Sequence, residues 1–419
     1  MLRGGTPPLF LNIALRLRKL SFCRCVMSMD PIVIVSAVRT PMGGMMGVFK
    51  DVRAPDLGAI AIKAAINRAG ISEADIDEVI MGCVLPAGLG QAPARQASRA
   101  AGIPDATGCT TINKMCGSGM KAVMLAHDQL AAGTVDVMVA GGMENMSQAP
   151  YLLPKARAGM RMGHSQVIDH MFFDGLEDAY EGGLMGLYAQ KTADDYSVTR
   201  EAMDDFAINS LEKALGAIDR KEFVEEIASV SVKTRRGEVL IEVDEQPGNA
   251  RLDKIRSLKP AFKQDGTVTA ANSSSISDGA SALLLMREST AKSKGLKPLA
   301  RIVSHSTHAQ LPAEFTLAPI GAIQKAIEKA NWELDSVDLF EINEAFAVVT
   351  MLAVNELGLD NSKVNVRGGA CALGHPIGSS GSRILVTLIH ALKQSGKKRG
   401  LASLCIGGGE ATAMAIEML

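Results

Sequence analysis

Residues 107–142 read TGCTTINKMCGSGMKAVMLAHDQLAAGTVDVMVAGG, and the order of elements within them decides the fold class. Thr107–Thr111 is a short strand-like run, a helix is expected from about Gly117 to Ala131, and Val135–Ala140 is a second apolar strand. Strand, helix and strand in succession point to a layered α/β protein. Cys116 stands at the strand-to-helix junction, followed at once by Gly117 and Ser118. If Gly117 opens the helix, its first N–H groups and positive dipole end face the thiol and favour thiolate. Gly117 and Gly119 also permit close approach of a bulky reactant. Two readings stay open here: a poised nucleophile, or a buried core cysteine beside a glycine turn. A structural metal site is not expected, because Cys116 has no Cys or His partners at ligand spacing.

The same rhythm runs outward in both directions. Pro31–Val38 carries Ile32, Val33, Ile34 and Val35 without a break, the pattern of a strand buried on both faces. A helix is expected from Asp56, whose carboxylate can cap it, to Ala69, with Gly70 as its stop. Ile76–Met81 reads as a strand and Pro93–Ala101 as a short helix. Downstream, strands are expected at Ala300–Ser304, Asp338–Ile342 and Leu401–Ile406, with helices at Ile320–Ala330, at NEAFA (343–347) and at Ile377–Leu392. VDVMVAGG (135–142) and LASLCIGG (401–408) are both buried-strand patterns ending in glycines, which suggests two related halves. Residues 146–276 are richer in charge and turns, with an amphipathic run at Thr199–Leu215 and a β-rich run at Ile227–Val243. The expected organisation is an N-terminal half at 30–145, an inserted loop domain at 146–276 and a C-terminal half at 277–419.

Composition narrows the function classes. With 47% hydrophobic and 21% charged residues in a chain of 419, the protein can bury substantial cores and is not a disordered one. A formal charge of −1 argues against a broad grip on phosphate backbones, and one Trp and four Tyr give little stacking platform for single-stranded nucleic acid. The seven cysteines, at 23, 25, 83, 109, 116, 371 and 405, are odd in number and form no ladder of short spacings, which points to a reducing intracellular compartment. Residues 1–29 hold Arg3, Arg16, Arg18, Lys19 and Arg24 without an acidic residue. They read as a mitochondrial presequence or as translated sequence upstream of a start near Met27 or Met29. Their apolar run Pro7–Leu17 is short and interrupted by Arg16, so no membrane span is expected.

Two distant segments carry groups that can complete chemistry at Cys116. His375 precedes Pro376, which fixes φ at a helix start without sacrificing an internal donor and can aim the imidazole. Such a group can take a proton from a thiol or hydrogen-bond a carbonyl oxygen; a structural histidine is the alternative. Cys405 ends an apolar strand ahead of Gly407, Gly408 and Gly409, whose free amides suit a developing oxyanion; the alternative is a small strand residue at a tight turn. Glu344 can act as base, helix cap or orienter, and Asn343 can hold a water. No G-x-G-x-x-G follows a strand and no Walker A sequence occurs, while His164 and His170 read as fillers.

VIVSAVRTPMG (33–43), INKMCGSGM (112–120), AGGMENMSQAP (140–150), NEAFA, GGACALGHPIG (368–378) and CIGGG (405–409) occur in that order. Together they resemble the thiolase family, and within it the biosynthetic branch that interconverts acetyl-CoA and acetoacetyl-CoA. The resemblance runs from Pro31 to the C-terminus and leaves out residues 1–29. It implies two related mixed-sheet α/β halves in α-β-α-β-α layers with an inserted loop domain. It also implies a ping-pong Claisen condensation, reversed in thiolysis, in which Cys116 is acylated, His375 activates it and Cys405 takes a proton from the second acetyl-CoA. Asn343, through a water, and His375 would serve one oxyanion, and the amides of Cys116 and Gly407 the other.

For coenzyme A, the resemblance makes Ser274 and Ala270 pantetheine contacts and Phe262 and Phe346 an apolar wall. Leu184 and Met185 fall at the thioester end, where Met185 narrows the acyl space. Leu184 replaces an often polar or aromatic residue, Ser275 and Ser277 replace Gly and Asn, Glu410 and Ala411 replace a small pair, and Arg367 adds charge near the entrance. No prosthetic cofactor or metal is implied; acetyl-CoA, acetoacetyl-CoA and CoA are substrates. The implied assembly is a homo-oligomer, a tetramer built as a dimer of dimers, in the cytoplasm, or in the mitochondrial matrix if the leader is cleaved. A degradative 3-ketoacyl-CoA thiolase for longer chains and a noncatalytic CoA-binding scaffold are the other readings.

Overall fold

The computed structural model describes residues 30–235 and 237–419; the leader expected at 1–29 lies outside them. The principal elements of the first half are β1 (Ile32–Arg39), α1 (Ala54–Ala69), β2 (Glu78–Gly82), α2 (Pro93–Ala100), β3 (Gly108–Ile112), α3 (Ser118–Ala131) and β4 (Val137–Asn145). An excursion follows with α4 (Met185–Asp195), α5 (Arg200–Asp219) and a hairpin of β5 (Val230–Thr234) and β6 (Gly237–Ile241). The chain continues through β7 (Ser277–Arg287), β8 (Ala300–Ala309), α6 (Ala318–Ala330), β9 (Leu339–Ile342), α7 (Ala347–Leu357), α8 (Ile377–Ser395), β10 (Arg399–Ile406) and β11 (Glu410–Met418).

The strands lie in the order β9-β10-β11-β8-β1-β7-β4-β2-β3, and the strands of the two halves meet where Val33 and Ile34 of β1 pair with Arg301 and Ala300 of β8. In the first half, β2 runs parallel to β3 and β4, and β4-β7-β1 continue antiparallel. In the second, β9 runs parallel to β10 and to the bridge Phe340↔Val364, and β10-β11-β8 continue antiparallel. Counting that bridge as a strand, both halves follow one pattern, third-second-fourth-fifth-first in chain order. The look-alike segments β4 and β10 are the fourth strand of each, which bears out two related halves. One boundary moves. β7 pairs along its length with β1 and β4, so 277–287 completes the first sheet and the second half starts at β8, not at 277. An apolar run announces a strand but not which neighbours will supply its hydrogen bonds.

Layering follows from which side chains each strand turns to which face. Val33 and Val35 of β1, with Val79, Met81, Val137 and Val139, pack beneath α1 and α2. Ile32 and Ile34 point the other way, onto α3 and α8, which also cover Leu404, Met414 and Ile416 of the second sheet. The outer face of that sheet is covered by α6 and α7. The order is therefore α-β-α-β-α. Helix α8 lies in the middle layer, so its residues from Ile377 to Leu392 are all buried, and they are apolar or small apart from Thr387, Arg383 and His390.

Two local expectations shift. Asp56 sits in the first turn of α1 behind an Arg53 cap, while Gly70 closes that helix at φ 72° as expected. NEAFA is a loop, because Phe346 is extended and bridges Ser273, so α7 begins only at Ala347. The excursion is fixed to the body by Arg39, fully buried, which donates to Glu226 (2.6 Å) and to both oxygens of Asp244 (2.7 and 2.9 Å). Burying such charges is costly unless each is paired, as here. Arg367 joins this cluster, 3.3 Å from Glu226 and over the Phe223 ring, so it places no charge at an entrance. Among the described residues, no helix is long and apolar enough to cross a membrane.

Candidate active site

Cys116 is presented by a turn that its own polar groups hold. Met115 N–H donates to Asn113 Oδ1 (2.9 Å), Lys114 N–H donates to Ser118 Oγ (2.8 Å), and that hydroxyl donates to Met115 O (2.7 Å). They hold Met115 at φ 47°, a left-handed conformation that a non-glycine residue adopts at a cost of roughly 1–3 kcal/mol. Helix α3 follows immediately. A Cβ on Gly119 would fall 2.5 Å from Ser382 Oγ and 2.8 Å from Ser382 N, so α3 and α8 approach this closely only because it is absent. The two central helices thereby bring Cys116 and His375, each just ahead of a helix start, to one place.

That place is a largely apolar cavity of about 390 Å³. Cys116, His375, Cys405 and Gly407 line it, from three separate chain segments, the first more than 250 residues before the other two. Leu184, Met185, Phe262, Ala270, Ser274 and Phe346 line it too, so every expected contact for coenzyme A faces the same space. Phe172, Leu176, Phe315 and Ile377 complete the wall and were not anticipated. As lone apolar residues in loops and at helix ends, they carry no periodic signal. A larger cavity of about 500 Å³ lies beyond Glu344 and contains none of the reactive sulfurs. A third, of about 250 Å³, shares Ala270 and Ser275 with the reactive cavity and carries Arg251 and Lys254.

The electrostatics correct one expectation. Burial pushes the Cys116 thiol up to about 11, against the downward pull of the amides of Gly407 and of Cys116 itself. Desolvation outweighs the helix start, and the resting sulfur is a thiol. Cys405 is raised as well, first by burial and then by the Cys116 sulfur, so the pair resists carrying two negative charges at once. His375 is lowered to about 3 by burial and then by Arg383, hence neutral.

The His375 tautomer is set by Ser380, a residue that sequence reading passed over. Ser380 Oγ donates to Pro376 O (3.0 Å), the usual bond of a helical serine to the carbonyl four residues back. Its single proton being spent, it accepts from His375 Nδ1–H (2.6 Å). Nε2 is left as a bare lone pair, buried and without a partner among the described residues. Asn343 does not line the cavity; it lies buried with Nδ2 likewise unpartnered and Oδ1 3.4 Å from Arg383. Glu344 accepts from Ser210 (2.7 Å), Asn365 (2.8 Å) and the Cys371 amide (3.1 Å), and burial raises its pKa. Its carboxylate is wholly engaged in holding the loop. Glu410, one of the departures noted above, pairs with Lys114 and ties the glycine turn after Cys405 to the Cys116 turn.

Comparison with known proteins agrees with this geometry. The signature of the thiolase N-terminal domain matches residues 32–289, and that of the thiolase C-terminal domain matches 296–418. An acetyl-CoA acetyltransferase of Cupriavidus necator is 49% identical over 391 residues, covering 93% of this chain and 100% of the relative. The crystal structure of the Bacillus anthracis acetyl-CoA acetyltransferase aligns with TM-score 0.91 at 43% identity, covering 93% of this chain and 99% of that one. An Ascaris suum thiolase solved in complex with coenzyme A aligns with TM-score 0.88 at 42% identity, covering 93% and 100%. The domain boundary between the two signatures falls between β7 and β8, where the strand pairing puts it, and the chain belongs to the thiolase family.

Proposed function

We propose that the protein is an acetyl-CoA C-acetyltransferase that condenses two acetyl-CoA to acetoacetyl-CoA and CoA, and runs the reverse thiolysis. The observation that carries this reading is the meeting of two thiols, Cys116 half-buried and Cys405 buried, with one bare imidazole nitrogen and the Gly407 amide at one apolar cavity. With its pKa near 11, the Cys116 thiol is about one part in ten thousand thiolate at pH 7, so attack requires a base. His375 Nε2 takes the proton as the sulfur attacks the thioester carbonyl. The oxyanion is held by the Cys116 and Gly407 amides, where a lost donor costs about 100 to 1,000-fold. As the intermediate collapses, Cys405 protonates the departing CoA sulfur and is left as the thiolate.

Cys405 then removes a proton from the methyl of a second acetyl-CoA. The enolate oxygen is stabilised by His375, now protonated at Nε2, and by a water on Asn343. Carbon–carbon bond formation and collapse release acetoacetyl-CoA, and the Cys116 sulfur recovers its proton from His375. One negative charge moves between the two sulfurs throughout, as their mutual repulsion requires. Pantetheine would run past Ser274 and Ala270 into the adjoining cavity, where Arg251 and Lys254 suit phosphate.

Met185 and Phe346 close the acyl end, and the acetyltransferase names of the relatives above favour short acyl groups over long ones. Incubation with acetyl-CoA followed by mass mapping should place an acetyl group on Cys116 and yield acetoacetyl-CoA. No acyl-cysteine at that position would end the proposal, and faster cleavage of long 3-ketoacyl-CoA than of acetoacetyl-CoA would favour the degradative reading. The proposed assembly is a tetramer: Tyr151, Leu153, Met162 and Val167 are exposed apolar side chains on one stretch, the kind of patch that copies of a chain cover. Light scattering tests it. Cytoplasm is the proposed location, or mitochondrial matrix if residues 1–29 are removed as a presequence; N-terminal sequencing of the cellular protein discriminates.

A further inference from the structure

We propose that His127, Asp128 and His305 form a binding site for a divalent cation of the zinc type, remote from the reactive cavity. His127 and Asp128 lie in the last turns of α3, in the first half of the molecule, and His305 lies on β8, in the second. None of the three lines the reactive cavity, and His127 is about 14 Å along α3 from its start beside Cys116, at 1.5 Å per residue.

Their ligand atoms are already gathered. His305 Nε2 is 3.0 Å from Asp128 Oδ1 and 3.2 Å from His127 Nδ1, and His127 Nδ1 is 3.1 Å from Asp128 Oδ1. Bonds of about 2.0–2.1 Å to a tetrahedral ion require ligand atoms about 3.3 Å apart. Hydrogen bonding alone does not satisfy this triangle. If both rings donate to Oδ1, two N–H groups face each other across 3.2 Å; if one ring donates to the other, Oδ1 loses a donor. A cation in place of the protons accepts all three lone pairs at once. Two imidazoles and a carboxylate form a donor set that suits Zn²⁺, and the half-exposed Asp128 leaves a fourth position open to water. Lys329, bonded to the His305 carbonyl (3.0 Å), opposes a cation but is held on the backbone oxygen, away from the ring. A bound ion would clip the central helix that begins just after Cys116 to the first strand of the other half.

The test uses the full-length protein, its cysteines first alkylated so that Cys116 and Cys405 hold no metal. Titration with Zn²⁺ alone should saturate at one equivalent per chain and raise the thermal midpoint, and Co²⁺ should give a tetrahedral visible spectrum. His305→Gln and Asp128→Asn should each weaken binding by about 100-fold or more, beyond the usual 10–100-fold for losing a partner that only supports a ligand. Acetyl transfer by the unalkylated variants should be unchanged, and their thermal midpoints in chelator should match the parent. Failure of the alkylated parent to take up one saturable equivalent, an octahedral Co²⁺ spectrum, or undiminished binding in both variants would overturn the proposal.

Discussion

Replacing Ser380 by alanine separates the tautomer of His375 from everything else the imidazole does. In the parent, His375 Nδ1–H is spent on Ser380 Oγ at 2.6 Å and Nε2 faces the cavity as a bare acceptor. Without the hydroxyl, Nδ1–H is a buried donor with no partner, a state that costs about 1–3 kcal/mol. The ring avoids that cost by moving its proton to Nε2, which lines the cavity and can donate there to a water, and this removes the base from the population. A bias of that size lowers the competent fraction by about 5 to 150-fold. Acylation of Cys116 should slow by that factor. The KM for acetyl-CoA should hardly move, because Ser380 is not part of the cavity wall. Rapid quench of enzyme with acetyl-CoA, counting acetyl-Cys116 against time, gives the rate directly. An unchanged acylation rate, or a raised KM with unchanged rate, would refute the tautomer argument. The Ser380→Thr variant, which restores a hydroxyl, should recover most of the loss and would exclude a packing effect.

Cys405→Ala should still accept an acetyl group on Cys116 but lose condensation by about 100 to 10,000-fold, the usual weight of a positioned acid–base group; exchange of the acetyl methyl protons with solvent deuterium should vanish with it. Gly119→Ala places a Cβ 2.8 Å from the Ser382 backbone, so α3 and α8 must separate. Denaturant unfolding should show a loss of about 1–3 kcal/mol, and acylation should fall with it. Glu144 is buried, and desolvation lifts it from 4.5 to about 7 despite donation from the Val84, Leu85 and Gly378 amides. The folded state therefore holds this proton to higher pH than the unfolded one, and the favourable contribution present at low pH is lost as pH rises from about 4.5 to 7, by about 3 kcal/mol at most. Unfolding free energies measured across that range should fall less steeply in Glu144→Gln; an identical slope would refute the assignment.

The order of strands and helices was legible because each kind of burial leaves its own periodicity. Ile32–Val35 could be apolar at every position only if both faces were covered, and the two cores on either side of β1 are the cause. The likeness of 135–142 to 401–408 pointed to duplication, and both segments occupy the fourth strand of their sheets. The reactive groups were legible for a different reason. Cys116, His375 and Cys405 sit where strands stop or helices start, beside glycine or proline, and such junctions leave backbone donors free.

Charge and proximity were not legible. Arg367 reads as an exposed cation in a glycine-rich loop, and only the fold reveals Glu222 and Glu226 waiting for it. Reading a helix start beside Cys116 gave a low thiol pKa, but the balance belongs to burial, which depends on all the chain packed around the sulfur. By itself, then, the sequence settled what is written locally: element type, the duplicated strand rhythm, and which side chains have chemistry to offer. The tertiary structure alone decided that three remote segments share one cavity, that β7 joins the first sheet, and which protonation states rest there. Hydrogen-bond partners and desolvation are set by neighbours in space, and a linear string does not carry them.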